Sequence, residues 1–165
     1  MKHTILLLFI SLLSSFGQAQ VAINKLPNNA GAILDFATGT TNGIILSAVS
    51  TLPPNPANGT FVVDKKDLKI KMRQNNTWVD MSSPGDLSRV ATNVSSEICT
   101  GVIIGSTTSP ATGVLVLEAT NKALALPRIA SPHLNVRSPY PGMICYDTVS
   151  KSVVVFDGKV WNFWR

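Results

Sequence analysis

Few residues in this sequence could carry out acid–base catalysis or bind a metal ion. His133 is the only histidine beyond residue 19, and no carboxylate or cysteine stands at ligand spacing beside it. Asp64 and Asp147 each open a predicted turn, where an aspartate typically accepts hydrogen bonds from its own backbone. The sequence contains no G-x-S-x-G motif. We therefore predict no catalytic residue, no metal site and no cofactor.

The sequence has two cysteines, Cys99 and Cys145. In an exported chain an even cysteine count favours a disulfide, and no third cysteine competes here. The alternative is that Cys145 is a small buried hydrophobic residue, because Val62 holds the matching position in a related segment. We predict a Cys99–Cys145 disulfide.

Residues 1–19 have the three parts of a secretory signal peptide. Lys2 gives the positive start, residues 5–13 form an apolar run broken only by Ser11, and residues 17–19 end in a small residue that suits signal peptidase. The apolar run is far shorter than the ~20 residues that span a bilayer. We predict cleavage before Gln20, no membrane span, and a location outside the cell or at the outer-membrane surface.

The rest of the chain is only mildly basic. It has 13 Lys and Arg against 9 Asp and Glu, a net charge of +4. Charged residues are scarce while Thr, Ser, Asn, Gly and Val abound, which is typical of a β-rich extracellular protein. We predict no nucleic-acid partner, since nucleic-acid-binding domains usually carry a stronger basic patch.

The sequence repeats itself once. Residues 59–78 align with residues 142–161 at an offset of 83 without a gap, and residues 31–38 align with residues 113–120 at an offset of 82. The matched pairs that define the fold are Gly59 with Gly142, Asp64 with Asp147, and Trp78 with Trp161. We assign repeat 1 to residues 20–82, a connector to residues 83–101 and repeat 2 to residues 102–165.

Each repeat has the pattern of short strands separated by turns. The three last strands of a repeat are joined by two tight turns, which predicts a β-meander over 60–79 and another over 143–162. Asp157-Gly158 is a strong hairpin signal within the second meander. The predicted class is all-β, with two tandem β-meander modules joined by a short connector. The strands predicted before the last one of each repeat are 32–36, 60–63 and 68–73 in repeat 1, and 114–118, 143–146 and 152–156 in repeat 2.

Helix is predicted at one place and excluded at another. Leu87, Val90, Val94 and Ile98 fall at helical spacing, so residues 86–98 could form one short helix in the connector. Prolines crowd the loops that precede both meanders and argue against any helix there. These prolines are 53, 54, 56, 127, 132, 139 and 141.

A basic cluster in repeat 1 has two interpretations. Lys69, Lys71 and Arg73 share one face of a predicted strand, which could bind an anion or could simply be solvated. The matching residues of repeat 2 are Ser152, Val154 and Phe156, so the charge is not intrinsic to the module. We favour the solvated face.

The same comparison predicts an association surface in repeat 2. Its strand at 152–156 is apolar on both faces, and such strands are usually buried on both. Repeat 2 should therefore pack against repeat 1, another subunit or a partner protein. The predicted interface consists of Val154, Phe156, Phe163 and Trp164, because aromatic residues are enriched at interfaces.

Most of the chain resembles a module found in secreted proteins of Bacteroidetes-type bacteria. That module has the pattern VGIGTTTP…LLDL…GFLPPR…GLLVYDT…YYNGxxW, which residues 102–129 and 139–161 match closely, and residues 21–36 and 56–78 match in part. It is similar to repeats of tail fibres and adhesins, so the resemblance implies a surface-associated protein that is not an enzyme. Asp147-Thr148-Val149 resembles the O-glycan acceptor of this bacterial group, which implies glycosylation at Thr148.

Two hypotheses of function follow. The first is a non-catalytic structural protein that acts by self-association or by binding a protein partner, as a fibre subunit or an accessory of an outer-surface complex. The second is an adhesin module that binds carbohydrate through exposed aromatic residues.

Overall fold

The structure, a computed structural model, describes residues 20–26, 31–91 and 101–164. These residues form fourteen strands and one four-residue helix, so the predicted all-β class is confirmed. Repeat 1 contains β1 (Val21–Ile23), β2 (Ala32–Phe36), β3 (Ile44–Ile45), β4 (Ala48–Val49), β5 (Phe61–Asp64), β6 (Lys69–Gln74) and β7 (Thr77–Asp80). Repeat 2 contains β8 (Val102–Ile104), β9 (Leu115–Leu117), β10 (Ala123–Leu124), β11 (Arg128–Ile129), α1 (Pro132–Asn135), β12 (Met143–Asp147), β13 (Ser152–Phe156) and β14 (Trp161–Trp164).

Seven strands in each repeat follow one another in the same order. Both repeats begin with a parallel pair, β1 with β2 and β8 with β9, and both end with an antiparallel meander preceded by a short parallel strand. Val21 pairs with Leu34 and Val102 pairs with Leu115, so these strands correspond at an offset of 81 (21 to 102 and 34 to 115). The sequence alignment pairs residues 31–38 with 113–120 at an offset of 82, so the strand register shifts this pairing by one residue.

The meanders lie where the sequence predicts them. In repeat 1, Asn75 and Asn76 both have positive φ, 50° and 59°, as a two-residue hairpin turn requires. The preceding turn of each meander also ends in a residue with positive φ, Leu68 at 62° and Lys151 at 56°. The predicted Asp157-Gly158 turn is present, with Gly158 at φ 99°.

The two repeats share sheets as well as a boundary. Strand β10 of repeat 2 adds in parallel to β2 of repeat 1, and β3 of repeat 1 adds antiparallel to β12 of repeat 2. Backbone hydrogen bonds hold both additions, for example from the Leu46 amide to the Gly142 carbonyl at 3.0 Å. The repeats are therefore interlocked by main-chain pairing.

One core lies between the two meanders. Val63 and Ile70 of repeat 1 are fully buried against Ile144 and Val155 of repeat 2. The strand alternation of both meanders aims these side chains at the same space. Met81 completes the buried set, and Trp164 packs against its margin.

A second core covers the opposite face of the repeat 2 meander. Its buried members are Ile129, Met143, Cys145 and Val154. Val136, from the segment that follows α1, packs against them. Strand β13 is thus covered on both faces, as its sequence predicts, and both covers belong to the same chain.

The loop that carries α1 differs from the prediction that prolines exclude a helix there. Pro132 stands at the start of α1, where a missing amide hydrogen costs nothing because the first amides of a helix have no intrahelical partner. The predicted connector helix is absent from residues 86–91, and residues 92–100 lie outside the described part of the chain. In the described ranges no helix is long and apolar enough to cross a membrane.

Replacing Gly142 by alanine tests the interlocking of the repeats. Gly142 has φ 87°, and an added Cβ would lie 2.6 Å from Cγ2 of the fully buried Val63. Gly59 is its equivalent, with φ 88° and nothing within 4 Å of the added atom. Both substitutions should cost about 1–2 kcal/mol for the left-handed backbone, and Gly142→Ala about 1–3 kcal/mol more for overpacking.

Urea denaturation of both variants measures the difference between them. The double variant Gly142→Ala with Val63→Ala should lose the clash, so the two substitutions should show a favourable coupling energy. Equal destabilisation by Gly59→Ala and Gly142→Ala would show that the repeats do not pack this closely.

Candidate association surface

The predicted interface residues of repeat 2 separate into different environments. Val154 is 0% exposed and lies in the second core, between strands and beside Cys145. The prediction that Val154 contributes to an interface with another molecule is therefore wrong, because its side chain is buried within this chain. The physical reason is that the segment around α1, which the sequence did not reveal as a cover, lies over this face.

The aromatic residues of the set also have partners within the chain. The rings of Phe156 and Trp161 lie 5.3 Å apart and pack against the second core. Trp164 packs against the first core, so its contact is with the shared boundary between the repeats. Phe163 remains 44% exposed, and the centroid of its ring lies 6.1 Å from that of His133 in an edge-to-face arrangement. Of the predicted four, Phe163 is the residue that is most available to another molecule.

The two tryptophans that close the meanders are structural. Trp161 packs against Phe156 with the two rings tilted by 48°, and the Arg73 guanidinium lies 5.8 Å from the centre of the Trp78 ring. Both indoles are half-buried. Each therefore covers its own sheet.

The basic face of repeat 1 is held by acidic neighbours. Lys71 Nζ lies 2.5 Å from Asp67 and 3.0 Å from Asp80, while Lys69 Nζ lies 2.5 Å from Asp80. The Lys71 side chain is only 12% exposed, so it is less solvated than the sequence predicts. The ion pairs satisfy the lysines within the chain and leave little charge for an external anion.

The titration of these groups follows from the same contacts. Hydrogen bonds from Lys69 and then Lys71 lower the pKa of Asp80 below its ordinary value. Burial lowers the pKa of Lys71, but the hydrogen bonds to Asp67 and Asp80 outweigh it and the net pKa is raised. The network is therefore charged at neutral pH.

Asp147 joins its own turn to the loop that covers the second core. Its Oδ1 accepts hydrogen bonds from the amides of Val149 and Ser131, each at 2.9 Å, and Ser131 is the residue before α1. The equivalent Asp64 accepts one from Lys66 within its turn at 2.9 Å. Burial raises the pKa of Asp147, but the hydrogen bonds that its carboxylate accepts outweigh this and lower it overall.

Cys145 is a free thiol in the structure, and it is fully buried in the second core. Burial, and then the neighbouring Asp147, raise the pKa of the thiol to about 12. Cys99 lies outside the described residues, so the disulfide stays a prediction. A protonated, enclosed thiol of this kind is a packing group with little reactivity.

The remaining predicted sites lie on the surface. Thr148 is exposed in the turn after β12, and glycosylation there stays a prediction. His133 is exposed on α1, away from any acidic cluster. Within the described ranges no group of three or more His, Cys, Asp or Glu side chains is placed to hold a metal ion.

A group of exposed apolar side chains lies on and beside β8 and β9, where the sequence predicts a strand but no site. Val102 of β8 and Leu115 of β9 are 58% and 46% exposed, and Val114 and Ile103 lie beside them in the open. In repeat 1 the corresponding Leu34 is 3% exposed, because β10 pairs along the edge of β2. These exposed apolar side chains make β8 and β9 the candidate association surface. Leu34 and Leu115 are the same residue type in the two repeats, so the sequence does not predict that they differ in burial.

The Asp147 contact makes a testable prediction. Asp147→Ala and Asp64→Ala both remove a turn hydrogen bond, but only Asp147→Ala leaves the Ser131 amide without its partner. We expect Asp147→Ala to lose about 1–3 kcal/mol more of the free energy of unfolding. Because the pKa of Asp147 is lower in the folded protein than in the unfolded chain, its carboxylate stabilises the folded state above about pH 4. This contribution is lost as the pH falls through the folded-state pKa. Thermal melts from pH 7 to pH 2.5 should therefore show the two variants converging in acid.

A difference between the variants that persists unchanged at pH 2.5 would contradict this role of the Asp147 carboxylate.

Comparison with known families identifies one region of the chain. Residues 103–164 match a family model described as "Phage tail like trimerisation region". The match begins within β8 and ends at the last residue of β14, so it covers repeat 2 and its exposed apolar strands. No curated protein and no solved structure matches the chain.

Proposed function

We propose that this protein is a non-catalytic structural subunit that self-associates as a trimer within an exported fibre or surface assembly. The observation that carries the proposal is the match of repeat 2 to a phage tail-like trimerisation region. That family is structural, and the matched residues include the strands that leave apolar side chains in the open.

The contacts of the described residues support an association role. Lys69 and Lys71 of the repeat 1 sheet pair with Asp67 and Asp80, and burial raises the pKa of the Cys145 thiol to about 12. These are features of a scaffold. The exposed residues of β8 and β9, in contrast, have apolar side chains that a second protein surface would cover favourably.

The resemblance to secreted surface repeats of Bacteroidetes-type bacteria supports the location. A leader at residues 1–19 would deliver the chain to the exterior, and an exposed Thr148 would be accessible to a glycosylating enzyme. N-terminal sequencing of exported material should begin at Gln20. A chain that retains Met1 would contradict the proposed export.

Size-exclusion chromatography with light scattering tests the oligomeric state. The exported protein should elute at three times the mass of one chain at micromolar concentration, and it should dissociate on dilution if the contact is weak. A mass of one chain at every concentration up to the solubility limit would contradict the proposal. A stable higher mass that appears only with a second envelope protein would indicate an accessory subunit in its place.

A further inference from the structure

We propose that the strand additions that join repeat 1 to repeat 2 within the chain recur between chains, so that the open edge of β9 in one copy binds β3 of the next. This inference rests on the proposed self-association and identifies the strands that perform it. The occupant of the open edge in repeat 2 is therefore a second copy of this chain.

The junction inside the chain consists of two strand additions. In each, a short strand that follows the parallel pair of one repeat adds to a sheet of the other repeat. Strand β10 adds to the edge of β2, and β3 adds to the edge of β12 beside β11. Main-chain hydrogen bonds fix both, including those from Ala125 to Leu34 and from Leu46 to Gly142, at 3.0 Å each.

These two additions are not related by a twofold exchange. A twofold junction would also place β3 on β9 and β10 on β5, and neither pairing occurs among the described strands. The strand additions therefore join unlike edges, although the meanders pack through matching faces, with Ile70 and Val153 at equivalent positions of the shared core. A strand addition of this kind is heterologous, and it leaves each repeat with one used edge and one unused edge.

The unused side of repeat 2 is the outer edge of β9. Val102 donates to the Val114 carbonyl and Glu118 donates to the Ile104 carbonyl, so alternate residues of β9 face β8. The backbone groups of Leu115 and Leu117 consequently point to the opposite edge, where no described strand pairs. The edge carries neither lysine nor proline, which are the residues that usually protect an exposed edge.

The unused side of repeat 1 has the matching strands. Because Leu46 donates its amide to Gly142, the backbone groups of Ile45 point away from β12, and the Ile45 side chain is 48% exposed. Strands β5 and β12 are equivalent. β12 pairs with β3 at its first residues, whereas β5 pairs with β4 only at Val63 and Asp64. Among the described strands, none pairs with this edge of β5 at Phe61, so β10 of another copy could add there.

The two unused sides complement each other. When β3 of a second copy adds to β9, it repeats the pairing of β10 with β2, and Leu115 becomes buried as Leu34 is. When β10 adds to β5 of that copy, it repeats the pairing of β3 with β12. A heterologous junction either closes into a ring or continues as a filament, and three copies closing a ring give the proposed trimer.

Arginine substitutions on the two sides test the junction. Leu115→Arg blocks the repeat 2 side and Ile45→Arg blocks the repeat 1 side, while Leu134→Arg places the same group on the exposed surface of α1 as the control. Each blocked variant alone should be a monomer by light scattering. An equimolar mixture of the two should form a dimer of one chain each, because each variant retains one intact side. Leu134→Arg should assemble like the wild type.

The outcomes separate the inference from the proposed function. If the wild type assembles and both blocked variants assemble equally well, the junction lies elsewhere and the inference is wrong, while self-association stands. Blocked variants that stay monomeric when mixed would show that the two intact sides do not bind each other, which also overturns the inference. A monomeric wild type would remove the proposed function itself.

Folding of the variants is checked by circular dichroism and thermal melting. If an arginine variant fails to fold, Leu115→Gln and Ile45→Gln provide the milder pair. Each should raise the concentration of half-dissociation by about tenfold. An unchanged dissociation concentration for both would contradict the inference.

Discussion

The apolar contact between the two meanders is the interaction on which the rest of this structure depends. Val63 and Ile70 from one repeat and Ile144 and Val155 from the other are all buried, in a core that neither meander could form alone. A small sheet is stable when its apolar face packs against another element. Placing the meanders face to face also brings β3 within reach of β12, so main-chain pairing reinforces the side-chain packing.

The repeats differ in what covers their outer faces. In repeat 1, Lys71 and its aspartate partners form an ionic layer over β6, which tolerates water. In repeat 2, Val154 and Cys145 are apolar and need a cover, which the segment around α1 provides and the Asp147 carboxylate holds in place. Ion pairs therefore stabilise the outer face of the repeat 1 meander, and apolar packing stabilises that of the repeat 2 meander.

The local features of this fold could be predicted from the sequence because they depend on neighbouring residues. The hairpins at Asn75-Asn76 and Asp157-Gly158 and the turn contacts of Asp64 and Asp147 follow from turn chemistry alone. The strand exchange between the repeats depends on two-residue strands separated by long loops, which have too little pattern to show their partners.

The sequence predicts an association surface at Val154, Phe156, Phe163 and Trp164, whereas the exposed apolar side chains of β8 and β9 lie elsewhere in repeat 2. The sequence does not show that Val136, which follows α1, packs against the core that contains Val154. Leu115 was overlooked because its counterpart Leu34 is equally apolar and well buried. Only the absence of a strand beside β9 distinguishes the two, and that is a property of the tertiary structure.

The association account explains why a chain with two similar repeats would leave one pair of strands open. A junction between unlike surfaces is satisfied once within each chain, and the remaining two sides are satisfied by other copies. On the proposed assembly, the strand additions within the chain repeat between chains, with the edge of β9 and the edge of β3 as the two that pair.

Residue-level hydrogen exchange of the wild type, compared between dilute and concentrated protein, tests this claim most directly. On assembly, the account predicts slower exchange of the amides of Leu115, Leu117 and Ile45, whose backbone groups would then pair with another chain. The exposed turn at Val149 should exchange at the same rate in both samples. Unchanged exchange at those three amides, with new protection around α1 and Phe163 instead, would contradict it.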